Sequence, residues 1–241
     1  LGGAIPFLYF ARPNSSTLRL GRPLIDVRAL GRVCVNGSSE LVSNLSMSLV
    51  SMVYNFQLMA YIGPDGVAIY GVIQYVAWIA VSLLMGFTVG SSPIISYHYG
   101  AKNSAELKNL FRTCLGVMVA GGVLITVLTH LFAHPLAAVF VGYDPALCEM
   151  TVAALGEYSL AFIFVGVSIF GSAFFTALNN GLVSALISFL RTLVFECAAV
   201  MFLPAIIGVD GIWLSIVVAE IASMFLTGGF LVGLRKHYDY A

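Results

Sequence analysis

Residues 66–99 read GVAIYGVIQYVAWIAVSLLMGFTVGSSPIISYHY and contain no Asp, Glu, Lys or Arg. A helix needs about 20 consecutive apolar residues to cross a bilayer, so this segment is long enough to span one with some tilt. A strand of a membrane barrel has about ten residues of alternating polarity, and this run is longer and does not alternate. The segment therefore predicts a transmembrane α-helix.

The composition of the whole chain agrees with that prediction. Of its 241 residues, 60% are hydrophobic and only 9% are charged, whereas a soluble domain has about 25% charged residues. The net charge is zero and no basic tract is present, so nothing favours a nucleic-acid partner. The four cysteines have no metal-ligand spacing, and we interpret them as packing residues. The expected fold class is all-α, a polytopic membrane helix bundle.

The chain divides into a short leading part and six apolar segments. We interpret residues 1–32 as the end of a preceding transmembrane helix, followed by a polar linker rich in arginine. Residues 33–241 are predicted to form six transmembrane helices, separated by breaks that carry Gly, Pro, Asn or Asp. Residues 130–150 are expected to form an irregular or half-helical loop. The predicted segments are about 33–61, 67–99, 107–130, 149–178, 182–203 and 211–234.

The basic residues predict the orientation of these segments. Six crossings put the linker, the turn at 100–112, the turn at 178–182 and the C-terminus on one side of the membrane. Ten of the eleven Lys and Arg residues lie in these regions, and Arg191 lies inside the fifth segment. The opposite turns contain Asp65, Asp144 and Asp210 and no basic residue. Because basic residues favour the cytoplasmic side, the C-terminus is predicted to be cytoplasmic in a multi-pass cell-membrane protein.

One polar stripe stands out in the first segment. A carboxylate within lipid is costly and usually faces a partner or a wet cavity. Glu40 begins a stripe with helical spacing, and a stripe of this length suits the wall of a hydrated cavity. We expect Glu40 and Asn44 to bind a coupling cation or proton, and the stripe to line a cavity; the other predicted lining residues of this segment are Ser48, Ser51, Tyr54 and Asn55. The alternative is a structural polar seam between packed helices.

Other polar residues give weaker signals. The second segment carries Gln74, Tyr75 and Trp78, which are candidates to contact a cationic aromatic ligand, with ordinary core packing as the alternative. Glu220 lies in the middle of the sixth segment and is a further candidate for the cavity lining. Glu157 is interpreted as an interfacial residue whose head reaches water. Glu196 lies five residues after Arg191, and a structural pair of the two is expected.

No motif indicates an enzyme or a cofactor site. The sequence contains no HExxH motif, no phosphate loop and no Ser–His–Asp order. We therefore expect no catalytic residue, no metal site and no cofactor. The glycines inside the segments are interpreted as points of close helix contact; they are Gly86, Gly90, Gly116, Gly121, Gly122, Gly166, Gly171, Gly228 and Gly229.

The stretch GSSPIISYHYGAKNSAELKNLFR (90–112) resembles the helix end and cytoplasmic turn of MATE (multidrug and toxic compound extrusion) transporters. The first segment resembles that family's seventh helix, which often has a carboxylate near its start. FFTALNNG (174–181), RTLVFECAAVMFLP (191–204) and GVDGIWLSIVVAEIAS (208–223) are similar to its tenth to twelfth helices. The resemblance covers nearly the whole chain.

This resemblance implies a C-terminal six-helix lobe, with residues 12–32 linking it to an N-terminal lobe that this chain lacks. It implies a secondary active antiporter that exports organic cations or other amphipathic drugs by alternating access, in exchange for sodium ions or protons. Glu40 matches the coupling carboxylate of the seventh helix. Residues 160–176 contain no carboxylate, whereas some members have an aspartate there, so the coupling ion stays open.

Two alternative functions differ from an antiporter. A lipid-linked oligosaccharide flippase of the same superfamily would usually carry more basic residues in its cavity, whereas here only Arg191 lies well inside a segment. A membrane bundle that does not transport is the other alternative, and the Glu40 stripe argues against it.

Overall fold

The computed structural model describes Phe10 and residues 26–240, except for the side chains at 28–29 and 32–43. Apart from Phe10, the predicted end of a preceding helix and the linker up to residue 25 lie outside the described residues. By its internal contacts the chain divides into Leu1–Gly37 and Ser38–Ala241. Of the first unit, the described part is mainly the start of one helix, and the second unit contains the helices discussed below.

The described part of the chain consists of helices and turns, without a strand. This confirms the predicted all-α class. A single π-helical segment, Leu190–Glu196, connects two of the helices without a break. The helices are α1 (Val27–Tyr61), α2 (Pro64–Gly100), α3 (Ser104–Leu131), α4 (Ala133–Val141), α5 (Pro145–Ser159), α6 (Phe162–Ala177), α7 (Gly181–Phe189), α8 (Cys197–Ile207), α9 (Val209–Gly233) and α10 (Arg235–Tyr238).

Local sequence explains where these helices begin. Asn103, Asp144 and Asn180 each accept a hydrogen bond from a backbone N–H in the first turn of the following helix, which satisfies a donor that would otherwise lack a partner. Gly63 and Gly208 have φ values of 88° and 72°, a region that favours glycine over residues with a Cβ. These caps and turns end the apolar segments close to the predicted positions.

Residues 130–150 differ from the irregular or half-helical loop that was expected. They contain the complete helix α4, and α5 already starts at Pro145. The Asp144 side chain accepts hydrogen bonds from the N–H groups of Ala146 and Leu147. Proline is favoured in the first turn of a helix because its missing N–H is not needed there. The helix therefore starts earlier than the predicted segment at about 149.

The predicted fourth segment is two helices, α5 and α6, which are bent by 45° relative to each other. Side chains of α3 contact the backbone at the bend. Thr126 donates a hydrogen bond to the carbonyl of Ser159 at 3.0 Å, and the Ser159 hydroxyl lies 3.1 Å from Nδ1 of His130. A side chain that takes over a backbone carbonyl is a known cause of such bends.

Helix α6 is at the centre of the second unit, because it packs against α2, α3, α7 and α9. Two glycines allow α3 and α6 to approach each other closely. A Cβ at Gly122 would collide with the backbone carbonyl of Phe162, and a Cβ at Gly166 would lie 2.8 Å from the carbonyl oxygen of Met118. Close glycine contacts of this kind are typical of membrane helix interfaces.

The expectation of close contact is wrong for five of the other glycines. A Cβ placed on any of them would meet no atom within 4 Å among the described residues, because they lie on open faces of their helices. They are Gly86, Gly90, Gly116, Gly228 and Gly229.

Four of the described helices are long and apolar enough to cross a membrane, and the count is five if the bent α5–α6 pair is one span. The four are α2, α3, the continuous helix Gly181–Ile207 and α9. Helix α1, whose side chains are described only in part, is not among them. Large apolar side chains are exposed along these spans, as expected for surfaces that contact lipid. The chain is therefore a multi-pass membrane protein.

Candidate functional site

The structure describes most of the predicted α1 stripe, but the side chain of Glu40 lies outside the described part. Asn44 and Ser48 are exposed, and the Ser48 hydroxyl donates to the carbonyl of Asn44 at 3.1 Å. Asn55 is half-buried and donates to the carbonyl of Ser51 at 2.7 Å. Ser48 and Asn55 therefore bond within their own helix, whereas the Ser51 side chain interacts with Tyr70 of α2.

Tyr54, which was grouped with this stripe, points into the core. It is fully buried, and its ring stacks on that of Tyr70 from α2 with centroids 5.0 Å apart. The Tyr54 hydroxyl has no hydrogen-bond partner among the described residues. Gln74, one turn after Tyr70, donates to the Tyr70 hydroxyl at 2.8 Å. The pair of tyrosines links the predicted α1 residues to the predicted α2 residue Gln74.

Tyr75 lies on another face of α2. It is exposed, and its ring stacks on Phe140 of α4 with centroids 5.6 Å apart. Trp78 lies edge-on to it, with centroids 6.1 Å apart. Gln74 and Tyr75, which were predicted to act together on a ligand, therefore occupy two different environments within the described lobe.

The most unusual polar contact is an ion pair in the interior. Nε of Arg191 donates to Oε1 of Glu220 at 2.7 Å. The Glu220 side chain is only 2% exposed and that of Arg191 is 23% exposed. Glu220 lies about halfway along α9, so the pair is deep in the predicted membrane layer. Charged groups at that depth are rare and usually functional.

This finding corrects the expected pairing of Arg191 with Glu196. Arg191 bonds Glu220, which is 29 residues away and on another helix. Glu196 is half-buried and close enough to interact electrostatically with both Arg191 and Glu220. Only the Arg191–Glu220 contact has the geometry of an ion pair among the described residues.

The π-helical segment explains why Glu196 lies near the ion pair at all. Arg191 and Glu196 are five residues apart, which on an α-helix would put them on different faces. Both lie in the Leu190–Glu196 segment, and a π-helix has i→i+5 hydrogen bonds, so residues five apart lie one above the other. The altered helix therefore puts Glu196 on the same side as Arg191, and the packing of α9 adds Glu220 to the pair.

Tyr158 of α5 borders the same charged cluster. It is buried and interacts electrostatically with Tyr70, Glu196 and Glu220. Ser168 of α6 lies beside the Glu220 carboxyl. We call this group, Tyr54, Tyr70, Tyr158, Arg191, Glu196 and Glu220, the central polar cluster.

Sequence reasoning found part of the central polar cluster. Tyr54 and Glu220 were predicted as lining residues, whereas Tyr70 and Tyr158 were missed because a buried tyrosine in an apolar run gives no periodic signal. No group of three or more His, Cys, Asp or Glu residues that could hold a metal ion occurs in the described part of the chain. The chemistry that the cluster supports is the binding of a proton or a monovalent cation at its excess carboxylate.

A family model confirms the resemblance seen in the sequence. The model MatE matches residues 41–200, which is about two thirds of the chain. This chain belongs to the MatE family. Membership agrees with the multi-pass helical fold and points to a transporter.

Solved structures of MATE transporters share the fold of this MatE chain. A MATE protein in complex with MaL6 superimposes with a TM-score of 0.81 at 19% identity, over 93% of this chain and 50% of that one. A mutant of the Vibrio cholerae MATE transporter VcmN gives a TM-score of 0.80 at 20% identity, over 91% and 50%. A MOP superfamily transporter from Pyrococcus furiosus gives 0.81 at 19%, over 93% and 50%.

One curated relative also matches the MatE chain. It is an uncharacterized 21 kDa protein from Pseudomonas savastanoi, 27% identical over 142 residues, which are 58% of this chain and 46% of that protein. The chain therefore spans about half the length of the proteins that it matches.

Proposed function

We propose that this chain is the C-terminal lobe of a secondary active antiporter, which exports organic cations or other amphipathic drugs in exchange for sodium ions or protons. The observation that carries the proposal is the MatE match over residues 41–200 in a lobe with a charged cluster at its centre. An N-terminal lobe would complete the transporter, since the matched structures are about twice as long. The C-terminus would be cytoplasmic, as the basic residues predict.

The proposed coupling site is Glu40 with Asn44, near the predicted cytoplasmic start of the first segment. Two lobes that rock around a central site would give alternating access, and a cation bound there would favour one orientation. Exposed polar residues on α1, such as Asn44 and Ser48, support a wet cavity beside this helix, because their side chains are not covered within the lobe. The proposed lining of the cavity is otherwise as predicted from the sequence; it includes Ser51, Tyr54, Asn55, Gln74, Tyr75 and Glu220.

The ion pair of Arg191 with Glu220 favours the antiporter over an oligosaccharide flippase. A flippase would need basic side chains in its cavity to hold a pyrophosphate group. In the sequence, Arg191 is the basic residue that lies well inside a predicted segment. The guanidinium of Arg191 is instead neutralised by Glu220 at 2.7 Å. An arginine that is already paired with a carboxylate is not free to hold a phosphate, so the cluster gives no support for a pyrophosphate site.

The test is the replacement Glu40→Gln in the full-length protein, reconstituted in liposomes with ethidium as the transported probe. Gln keeps the size but removes the ionisable group, so we expect ethidium transport driven by either a pH or a sodium gradient to be abolished. Glu149→Gln is the matched control, because Glu149 is exposed on α5. Unchanged transport by Glu40→Gln, with folding intact by gel filtration, would contradict the proposed coupling role.

A further inference from the structure

Four hydroxyl groups form a continuous hydrogen-bonded chain between α6 and α7. Thr176 donates to the Ser184 hydroxyl at 2.8 Å. The Ser184 and Ser172 oxygens are 2.9 Å apart, and those of Ser172 and Ser188 are 3.0 Å apart. We call Thr176, Ser184, Ser172 and Ser188 the hydroxyl chain. A hydroxyl both donates and accepts, so four in sequence can be oriented head to tail.

One end of the hydroxyl chain reaches the surface. Thr176 is exposed and lies in the last turn of α6, next to the turn that joins α6 to α7. That turn is on the predicted cytoplasmic side of the membrane. Ser184 is buried, and Ser172 and Ser188 are half-buried, so the chain leads inward from Thr176.

The inner end of the chain approaches the ion pair along two helices. Ser188 lies three residues before Arg191, and Ser168 lies four residues before Ser172. Residues at these spacings are neighbours on a helix face, with about 5–6 Å between Cβ atoms. Ser168 is buried beside the Glu220 carboxyl. The hydroxyls therefore continue up one face of α6 to the carboxyl group.

Two buried polar atoms at this inner end have unused hydrogen-bonding capacity. Oε2 of Glu220 and the hydroxyl of Ser168 make no hydrogen bond of ordinary geometry with any described residue. They lie close enough to interact with each other, and both side chains are almost completely buried. Buried polar atoms in proteins are normally satisfied, often by an ordered water. One water between Ser168 and Ser172 would span a gap of about 5–6 Å with two hydrogen bonds of ordinary length.

We propose that the hydroxyl chain is a proton path from the cytoplasmic surface to Glu220. A hydronium ion at Thr176 gives up a proton. Thr176, Ser184, Ser172, the bridging water and Ser168 each accept one proton in turn and pass on one of their own, and the Glu220 carboxylate ends as a carboxylic acid. One O–H bond is lost from hydronium and one is formed at Glu220, with no net change in the hydroxyls. The inference rests on the proposed function in making this proton part of the transport cycle.

Protonation of Glu220 would change the interactions of the charged groups around it. Glu220 faces Arg191 from the π-helical segment, Ser168 from α6 and Tyr158 from α5. Once Glu220 is neutral, Arg191 loses its counter-charge, and Glu196 on the same helix face is the carboxylate left to neutralise it. Arg191 would then exchange Glu220 for Glu196 as its partner. Because Arg191 and Glu196 lie on the same helix, this exchange would link protonation of Glu220 to movement of that helix.

The test follows protonation of the carboxyl by infrared spectroscopy on the full-length protein in lipid nanodiscs. Lowering the pH should produce a carboxylic-acid C=O band that Glu220→Gln removes. After a rapid pH change, Ser172→Ala/Ser184→Ala should slow the appearance of this band about a hundredfold or more, the lower end of the range for positioned proton transfer. Thr151→Val is the matched control, because that hydroxyl is buried on α5 and bonds only its own helix at Leu147.

Three outcomes would overturn the proton path: no band sensitive to Glu220→Gln at any pH where the protein is folded, an unchanged rate in the double variant, or equal slowing by Thr151→Val. If the double variant does not fold, Thr176→Val at the exposed end replaces it and should slow the band in the same way. Wild-type ethidium transport is measured separately. If the wild-type protein does not transport ethidium, the proposed antiporter is refuted, and the infrared result still tests the proton path by itself.

Discussion

The stripe on α1 and the contact region that α6, α7, the π-helical segment and α9 form are both polar, but their side chains form hydrogen bonds differently. On α1, Ser48 and Asn55 bond carbonyls of their own helix. Between the other helices, Ser172 bonds hydroxyls of α7 and Arg191 bonds Glu220 of α9. Ser48 and Asn55 therefore need no neighbouring helix for these bonds, and the exposed side of α1 is open to another surface. In the second region the bonds cross between helices and hold the lobe together.

This difference shows that polar residues within a membrane segment can have two structural roles. Polar groups bonded to their own backbone can line water, because they need no partner on another helix. Polar groups bonded across helices fix which helices are adjacent, since leaving one unpaired inside the membrane is costly. Substitutions in the two regions should therefore affect stability and transport in different proportions.

Removing Arg191 should have the strongest effect on folding. Arg191→Met leaves the Glu220 carboxylate buried without its counter-charge, which we expect to destabilise the protein by about 3–5 kcal/mol. Arg191→Met/Glu220→Met should recover most of that loss, because an apolar pair needs no compensation. Thermal unfolding of the purified protein measures both.

The control for this change is Arg112→Met on α3, where the side chain is exposed and the expected change is within about 0.5 kcal/mol. A single Arg191→Met variant as stable as the Arg112→Met variant would show that the ion pair does not hold the lobe together.

The glycine contact between α3 and α6 should have the next strongest effect. Gly122→Ala introduces a Cβ that collides with the carbonyl of Phe162, and overpacking of this kind costs about 1–3 kcal/mol. Gly116→Ala on the same helix meets no atom within 4 Å in the described structure and should be neutral or stabilising by up to about 1 kcal/mol. Unfolding midpoints that move equally for both variants would contradict the close approach.

The smallest effect on stability is expected on the α1 stripe. Ser48→Ala removes an exposed hydroxyl that bonds its own helix, so the stability change should be within about 0.5 kcal/mol. Ethidium transport by the full-length protein should nevertheless decrease, because the proposed cavity loses a polar group. A Ser48→Ala variant that is strongly destabilised but transports normally would reverse the roles assigned to the two regions.

The helical segments were well predicted because hydropathy and helix breakers act locally. Gly63, Asn103 and Gly208 lie at turns that the sequence indicated, and the family resemblance at 90–112 was confirmed by the MatE match. The prediction of an irregular loop at 130–150 was wrong, because the capping of α5 by Asp144 was not recognised in the sequence. The roles of Glu40 and the other lining residues stay predictions.

The pairing of Arg191 could not be predicted from spacing. The i, i+5 distance to Glu196 has meaning only once Leu190–Glu196 is known to be π-helical, and its actual partner is on α9. Similarly, which glycines allow close approach depends on the face that meets another helix. Gly122 lies in such a contact, whereas Gly116 on the same helix does not.

Composition and breakers alone established a multi-pass helical membrane protein with its approximate segment boundaries, because the bilayer acts on each segment separately through length and hydropathy. The assignment of partners came only from the folded lobe. Glu220 meets Arg191, and Ser172 meets Ser184 and Ser188, because helices far apart or oppositely directed in the chain pack side by side. A buried polar group in lipid is costly without a partner. The packing between helices therefore decides which charged side chains are buried and which face water.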